Sequence, residues 1–528
     1  MHKTALKNPA AGLIAVGILL IPLGLFSDLA WLKRLGDACA GDGTCEACSV
    51  MLNLSRLMLP LLGAILIILI LKGFKGREDS FLEPFLSLAI FAFLFLYLFS
   101  SQIRYLNNDE YEHLHNAWMM REGTIPYFSL DLKHSPMLEW VNLLLMSLVG
   151  ESAIILQTVR LFMFLLSCGS LCLVYWIANE AYGSRLAGFA AVFLLLGSFI
   201  WMTCSFEARP DNFMVFFALV SLRLLLLYFR TKRFLYLALF ACSCVLSLLG
   251  KQNAAIFLFA VAVAFIYGIV FDEGHSRKRR IVAILTLLAA AAAALQIEPT
   301  RTFLWININR HIIPNDIKFF PFEYLFRIMQ TSPAVILLFV TAIFTKPEGG
   351  SQTARRYLYS ISFACLAALF LMNRPFPQEM ILMTATMSIV ASNVLVVLIQ
   401  KVERKHSCLI ACLIAVPAMF YFFHVARDRP ADSDISVTET ILQISNKDDL
   451  VFDAYGKAIF RHSPLEPNYL LYFPGKFSRL EILKKSEPKF VIEDEWYYAR
   501  LPREVHEWIK ENYIRTAEHP LILVRKKS

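Results

Sequence analysis

Two adjacent acids, Asp109 and Glu110, open the run Asn108-Asp-Glu-Tyr-Glu-His-Leu-His-Asn-Ala-Trp118, a few residues beyond the apolar stretch Phe81–Phe99. Charged groups beside hydrocarbon are costly, so carboxylates placed there are read first as chemistry. Cations and titratable groups recur along the chain at Lys133-His134-Ser135-Pro136, Arg209-Pro210-Asp211 and Lys251. A carboxylate can orient and deprotonate an acceptor hydroxyl, and cations can hold a phosphate as it departs. Together they suit a sugar carried on a polyprenyl phosphate. The lipid tail of such a donor lies in the bilayer, and its reacting C1–O–phosphate bond lies at the headgroup plane. That bond is already activated, so no nucleotide is needed. The chain has neither a Walker nor a GxGxxG motif, which argues against a nucleotide-driven pump.

The elements that must position these groups are mostly membrane helices. Of 528 residues 57% are hydrophobic and 18% charged, with a mean hydropathy of +0.55. A span takes about 20 apolar residues. Such runs occur near 10–26, 52–71, 81–100, 154–177, 185–203, 212–229, 234–250, 253–271, 281–297, 333–345, 357–372, 380–399 and 408–424, about 13 in all. The expected fold is therefore an α-helical polytopic membrane protein. Every second loop is short and basic, among them Arg230/Lys232/Arg233 and Arg277–Arg280. This positive-inside pattern puts Asp109, Arg209, Asp211 and Lys251 on the outer face. The net charge of +9 is thus a topology signal, and no basic–aromatic groove points to nucleic acid.

Three regions are expected: 1–80, with two spans and an outward cysteine loop; 81–425, with the remaining spans; and a polar tail over 426–528. The first apolar run is longer than a signal-peptide core and reads as an uncleaved anchor. Eight of the 11 cysteines fall in spans; Cys39, Cys45 and Cys48 cluster in the outward loop, where one structural disulfide of open pairing is expected. In the tail, 449–454, 489–493 and 521–524 read as strands and 435–444 and 502–512 as helices, giving a small α/β domain on the outer side. Between residues 101 and 153, Tyr111, Leu114, Ala117 and Trp118 recur at helical spacing, and Pro136–Val149 is apolar apart from Glu139. Both suit helices lying in the interface.

In order, Asn108–Trp118, Glu122-Gly-x-x-Pro-Tyr127, His134-x-Pro136, Ala208-Arg-Pro-Asp-Asn212 and Leu249-Gly-Lys251 resemble motifs of bacterial GT-C glycosyltransferases. These are relatives of protein O-mannosyltransferases and of the aminoarabinose transferase acting on lipid A. The resemblance covers roughly 81–425. It implies a GT-C architecture and inverting transfer from a polyprenyl-phosphate sugar to an envelope acceptor, at the outer face of the bacterial inner membrane. By position Asp109 matches the catalytic carboxylate and Glu110 its neighbour. His134, Arg209 and Lys251 match groups near the donor phosphate, and Asp211, Lys133, His113 and Gln378 are candidate substrate contacts. Lys133 departs from the pattern, since several relatives have Glu there; that weakens any metal site. No cofactor is required; a divalent cation is compatible with this reading but not indicated by it.

Plainer readings stand beside these. Asp109 and Glu110 also suit first-turn acids behind an Asn108 cap. Glu110-x-x-His113 and Glu112-x-x-His115 have ligand-like spacing, but consecutive pairs point to different faces and read as exposed interface side chains. Lys251 could snorkel to headgroups, Arg209 and Asp211 could pair at a helix end, and His134 could simply touch a headgroup. A flippase for lipid-linked sugars is the competing class; it would carry charge near the bilayer midplane, whereas these spans read as nearly free of it.

Overall fold

The computed structural model describes residues 82–126, 132, 134–251, 331–345, 350–371, 377–401, 431–453, 455–464, 479–493 and 501–526, with isolated positions between 253 and 261 and at 414–415. The spans expected near 10–26, 52–71 and 281–297, most of 253–271 and 408–424, the Cys39/Cys45/Cys48 loop and Lys133 lie outside the described residues.

Four described helices are long and apolar enough to cross a membrane: Glu83–Ile103, Ile154–Tyr182, Pro210–Thr231 and Ile381–Gln400. In chain order the helices are α1 (Leu82–Ile103), α2 (Asn108–Arg121), α3 (Met137–Val149), α4 (Ile154–Tyr182), α5 (Arg185–Leu196), α6 (Phe199–Cys204), α7 (Pro210–Thr231) and α8 (Phe234–Gly250). They continue with α9 (Pro333–Phe344), α10 (Gln352–Leu371) and α11 (Ile381–Lys401), the last entered through a 3-10 turn, Pro377–Met380. At 29 residues, α4 is roughly 44 Å long, well over the ~30 Å of a bilayer core. The single span expected over 185–203 is instead two helices. Ser184 caps α5 by accepting from the Ala187 amide, and α5 stops at Gly197. A Cβ there would come within 2.9 Å of the Ile414 carbonyl oxygen, which favours glycine at this close approach; the chain restarts as α6 after Ser198.

The larger apolar core joins α1, α4, α5, α7, α8, α9, α10 and α11. Between spans there is little hydrophobic drive, because lipid is as apolar as leucine; close packing of small residues does the holding. Ala187, Ala190 and Ala191 on α5 and Ala385, Ser388 and Ala391 on α11, all buried, supply it in this packed pair.

A second core surrounds α2. Tyr111, Leu114 and Trp118 pack with Leu138 and Met146 of α3, Ile155 and Val159 of α4 and Phe213 of α7. The expectation of α2 as an interfacial helix with exposed polar groups is corrected here, since Glu110, His113, His115 and Asn116 are buried as well. The reason is a second layer on its far side. Ile435 of α12 (Ala431–Ile444) and Ile459 and Phe460 beyond it complete that core. Helix α3 keeps two faces: Leu138, Glu139, Asn142 and Met146 point inward, while Trp140, Leu144 and Leu148 are exposed.

The C-terminal elements are α12, β1 (Val451–Asp453), α13 (Arg479–Ser486), β2 (Phe490–Ile492), α14 (Arg503–Asn512), β3 (Tyr513–Arg515) and β4 (Ile522–Arg525). The strands form one sheet in the order β1-β2-β4-β3. β1 and β2 are parallel, with Val451 opposite Phe490, and the other two pairings are antiparallel. α13 and β3 are elements the sequence reading does not contain. Alternation along the strands feeds two apolar clusters, one through Phe452, Val491 and Leu523 and one through Val451, Phe490 and Ile522.

Candidate functional site

Helix α2 is started by Asn107, one residue before the expected cap at Asn108. The Asn107 side chain accepts from the Asp109 amide at 3.1 Å, and Glu110 accepts from the Asn107 amide at 2.9 Å, a reciprocal capping box. The shift by one residue decides the fate of the two acids. Glu110, in the third helical position, turns back into the protein; Asp109, one residue earlier, stays at its surface, against Arg209.

Glu110 is fully buried. Its Oε1 accepts from Arg160 Nε at 2.9 Å and the Ala208 amide at 3.0 Å; its Oε2 accepts from Arg160 Nη2 at 2.6 Å and the Asn107 amide. Burial alone would push this carboxyl up. The Arg160 charge and hydrogen bonds, with the two amides, outweigh it and hold Glu110 below the ordinary carboxylate range. Four donors fill the roughly four lone-pair sites of a carboxylate. Glu110, expected as a second catalytic acid, is therefore an anchor for α2. Arg160 also donates to the carbonyls of Ser101, Arg104 and Tyr105. It thereby ties the end of α1 and the start of α2 to α4.

Asp109 keeps 37% of its side-chain surface exposed, and its Oδ2 lies 2.6 Å from Arg209 Nη1. Arg209 is held from behind by Glu207, whose Oε2 is 2.5 Å from Nε, and Glu207 Oε1 in turn meets Arg104 Nη1 at 2.7 Å. The result is a ladder of alternating charge, Arg104–Glu207–Arg209–Asp109. Burial alone would lower the Arg209 pKa, but the Glu207 and Asp109 charges raise it, so the guanidinium stays charged. The 205–209 segment is shaped by Asn212, which donates to the carbonyls of Cys204 and Glu207. Pro210 then starts α7 in its first turn.

Asp211 does not pair with Arg209; it pairs with Lys251, Nζ to Oδ1, at 2.7 Å with both side chains buried. Gly250 makes this possible. A Cβ at that position would sit 2.6 Å from the Met214 amide nitrogen, so only glycine lets the end of α8 touch the start of α7. Ser247 fastens the contact by donating to the Met214 carbonyl at 3.0 Å.

His113 Nδ1 lies 2.7 Å from Glu139 Oε1, joining α2 to α3. Burial would lower this imidazole, but the charges of Glu139, Glu112 and Asp109 raise it above the ordinary histidine range. The half-buried His134 ring lies 6.1 Å from the His113 ring, centroid to centroid. Asp109, Arg209, His113 and His134 lie within electrostatic reach of one another, with Lys251 and Asp211 at the adjoining helix ends. Gln378, on the turn entering α11, has no hydrogen bond or ion pair with them. Among the described residues no group of three or more His, Cys, Asp and Glu side chains is placed to hold a metal.

Three contributors are absent from the sequence reading: Arg160, Arg104 and Glu207. Arg160 had a visible signal, as a charge inside an otherwise apolar helical run is expensive unless partnered. The long apolar helices are accordingly not free of charge: Arg160 lies in α4, and Glu180 of α4 pairs with Arg223 of α7.

With this geometry in view, the likenesses to known proteins can be placed. Residues 133–297 match the family described as dolichyl-phosphate-mannose-protein mannosyltransferase. The structure resembles that of ArnT from Cupriavidus metallidurans bound to undecaprenyl phosphate, with TM-score 0.57 and 13% identity, over 84% of this chain and 98% of that one. The fold is GT-C. The same ArnT in its apo state gives a TM-score of 0.57 at 12% identity, covering 83% and 97% of the two chains. An Archaeoglobus fulgidus oligosaccharyltransferase in the apo form gives 0.48 at 13% identity, over 77% and 69%. No curated protein sequence matches the chain. On this GT-C fold the matched family segment begins at Lys133 and runs through His134, Glu207, Arg209, Asp211 and Lys251, and does not include Asp109.

Proposed function

We propose that this chain is a membrane glycosyltransferase that moves a sugar from a polyprenyl-phosphate-linked donor to a hydroxyl of an envelope acceptor. The observation that carries the reading is the accessible Asp109 carboxylate set 2.6 Å from Arg209, with His134 and the Lys251–Asp211 pair at its side. A base and a set of phosphate-binding cations then meet at one place. In the reaction the acceptor oxygen attacks C1 of the sugar as the C1–O bond to phosphate breaks. The electron pair leaves with the phosphate oxygen, and the acceptor proton passes to Asp109. Attack opposite the leaving group inverts C1. Arg209, His134 and Lys251 stabilise the departing lipid phosphate; Glu110 fixes α2 and takes no proton.

The basic alternate loops favour an outer-face site in the inner membrane, with the C-terminal α/β elements on the same side covering α2. The experiment is to incubate purified protein with radiolabelled polyprenyl-phosphate sugars and envelope fractions. Label should pass to an acceptor and free polyprenyl phosphate should appear, with neither seen for Asp109→Asn, which should insert normally. Full transfer by that variant would remove Asp109 as the base. Label carried across the bilayer without a change of chemical partner would replace the enzyme by a flippase.

A further inference from the structure

Arg209 carries two duties that compete in the mechanism above. Its Nε is committed to Glu207 at 2.5 Å and its Nη1 to Asp109 at 2.6 Å; its Nη2 has no partner among the described residues. A guanidinium binds a phosphate best through two parallel N–H groups. With Nε occupied by Glu207, the edge left for such a fork is Nη1 with Nη2. That edge includes the nitrogen now held by Asp109.

We propose that the phosphate of the lipid-linked donor takes Nη1 of Arg209 away from Asp109, so that Asp109 becomes a competent base only when donor is bound. This rests on the reading that the site takes a lipid-linked phosphate. The physical consequence is directional. A carboxylate beside a guanidinium is a poor proton acceptor; the same carboxylate beside a phosphate anion is a better one, because a like charge favours its protonated form. Donor binding therefore exchanges the neighbour that suppresses Asp109 for one that activates it. Without donor the carboxylate stays in its ion pair, which disfavours unproductive proton transfer from water.

Glu207 acts here as a positioning residue. It grips Nε and is itself gripped by Arg104 Nη1 at 2.7 Å. Arg209 can therefore turn its terminal edge from carboxylate to phosphate without leaving its place. Arg160–Glu110, Lys251–Asp211 and His113–Glu139, and the Glu207 pairs with Arg104 and Arg209, all have their acids buried. Arg209–Asp109 is the pair whose acid is open to an incoming group.

A double-mutant cycle on full-length protein in nanodiscs tests the exchange, using undecaprenyl phosphate as the probe and native mass spectrometry or tryptophan fluorescence as the readout. Asp109→Asn should bind the probe about tenfold more tightly than the parent, a coupling in the range for directly contacting charges. The gain should vanish in the Arg209→Met background, or in Arg209→Lys should Arg209→Met melt early, because neither side chain offers a planar fork. An equal gain with and without Arg209 would mean simple through-space repulsion between Asp109 and phosphate, and would overturn the exchange. So would no gain in either background. If the parent and all variants fail to bind the probe, the lipid-phosphate reading of the site falls, and the exchange with it.

Discussion

Arg160 of α4 and Glu110 of α2 form a two-pronged ion pair, Nε to Oε1 at 2.9 Å and Nη2 to Oε2 at 2.6 Å, with neither side chain meaningfully exposed. It is the joint on which the N-terminus of α2, and hence Asp109, is set. Its energetic worth differs sharply according to how it is broken.

Replacing Arg160 by Met removes one partner and leaves Glu110 buried without its counter-charge. Such a half-pair costs about 3–5 kcal/mol. The Arg160→Met protein should melt well below the parent in thermal unfolding, and adding Glu110→Gln should restore part of the loss by removing the stranded charge. A melting curve for Arg160→Met that overlays the parent would refute the role given to this pair.

The His113–Glu139 pair carries a pH signature. The folded-state pKa of His113 is raised, with burial pushing down and Glu139, Glu112 and Asp109 pushing up more strongly. Its contribution to stability is therefore complete below the unfolded value of about 6.5. It fades as pH rises through the higher folded value, because the native state there holds a proton the unfolded state has already released. Relative to His113→Asn, the parent should be more stable near pH 6 and lose that margin as the solution is made alkaline. Thermal unfolding of both proteins over pH 5.5–9 checks this; a margin growing with pH would reverse the sign and contradict the assignment.

Gly250→Ala adds one methyl group where the Met214 backbone leaves no room. Backbone cannot step aside as a side-chain tip does, so α8 must shift, at a cost of about 1–3 kcal/mol. The displacement falls on Lys251, the next residue. Transfer activity should drop more than stability does, since a misplacement of about an ångström at a reacting site is expensive. Unchanged activity in a correctly inserted Gly250→Ala protein would show that the Lys251 position is not critical.

How much of this could be read in advance varies with the kind of interaction. The starts of α1 and α4 and the extent of α8 follow from apolar runs long enough to stand out, and Pro210 marks the head of α7. Placing Asp109 and Arg209 on one side of the membrane allowed them to meet but did not give their contact. Their partners did not follow. The plainer reading paired Arg209 with Asp211, two residues away, yet Arg209 bonds Asp109, 100 positions earlier, while Asp211 turns to Lys251. Neighbours in sequence lost to groups brought in by helix packing. The cap shifted for a similar reason: Asn107 and Asn108 are equally good caps by type, and the choice was made by Glu110, which must reach Arg160. The burial of α2 was illegible for a different cause. Its polar residues read as exposed unless one knows that chain from the far end of the protein lies over them.

That covering layer has a consequence for how the protein is made. The Leu106 amide donates to Asp434, 328 positions later, the Leu106 carbonyl accepts from Tyr455, and His115 meets the Ile459 carbonyl, 344 positions later. The helix bearing Asp109 leaves the ribosome early, but its seat is synthesised near the end. Until then its buried histidines and asparagine have no roof. A nascent chain thus carries the α2 helix uncovered until the segment bearing Asp434, Tyr455 and Ile459 has been made and can dock on it.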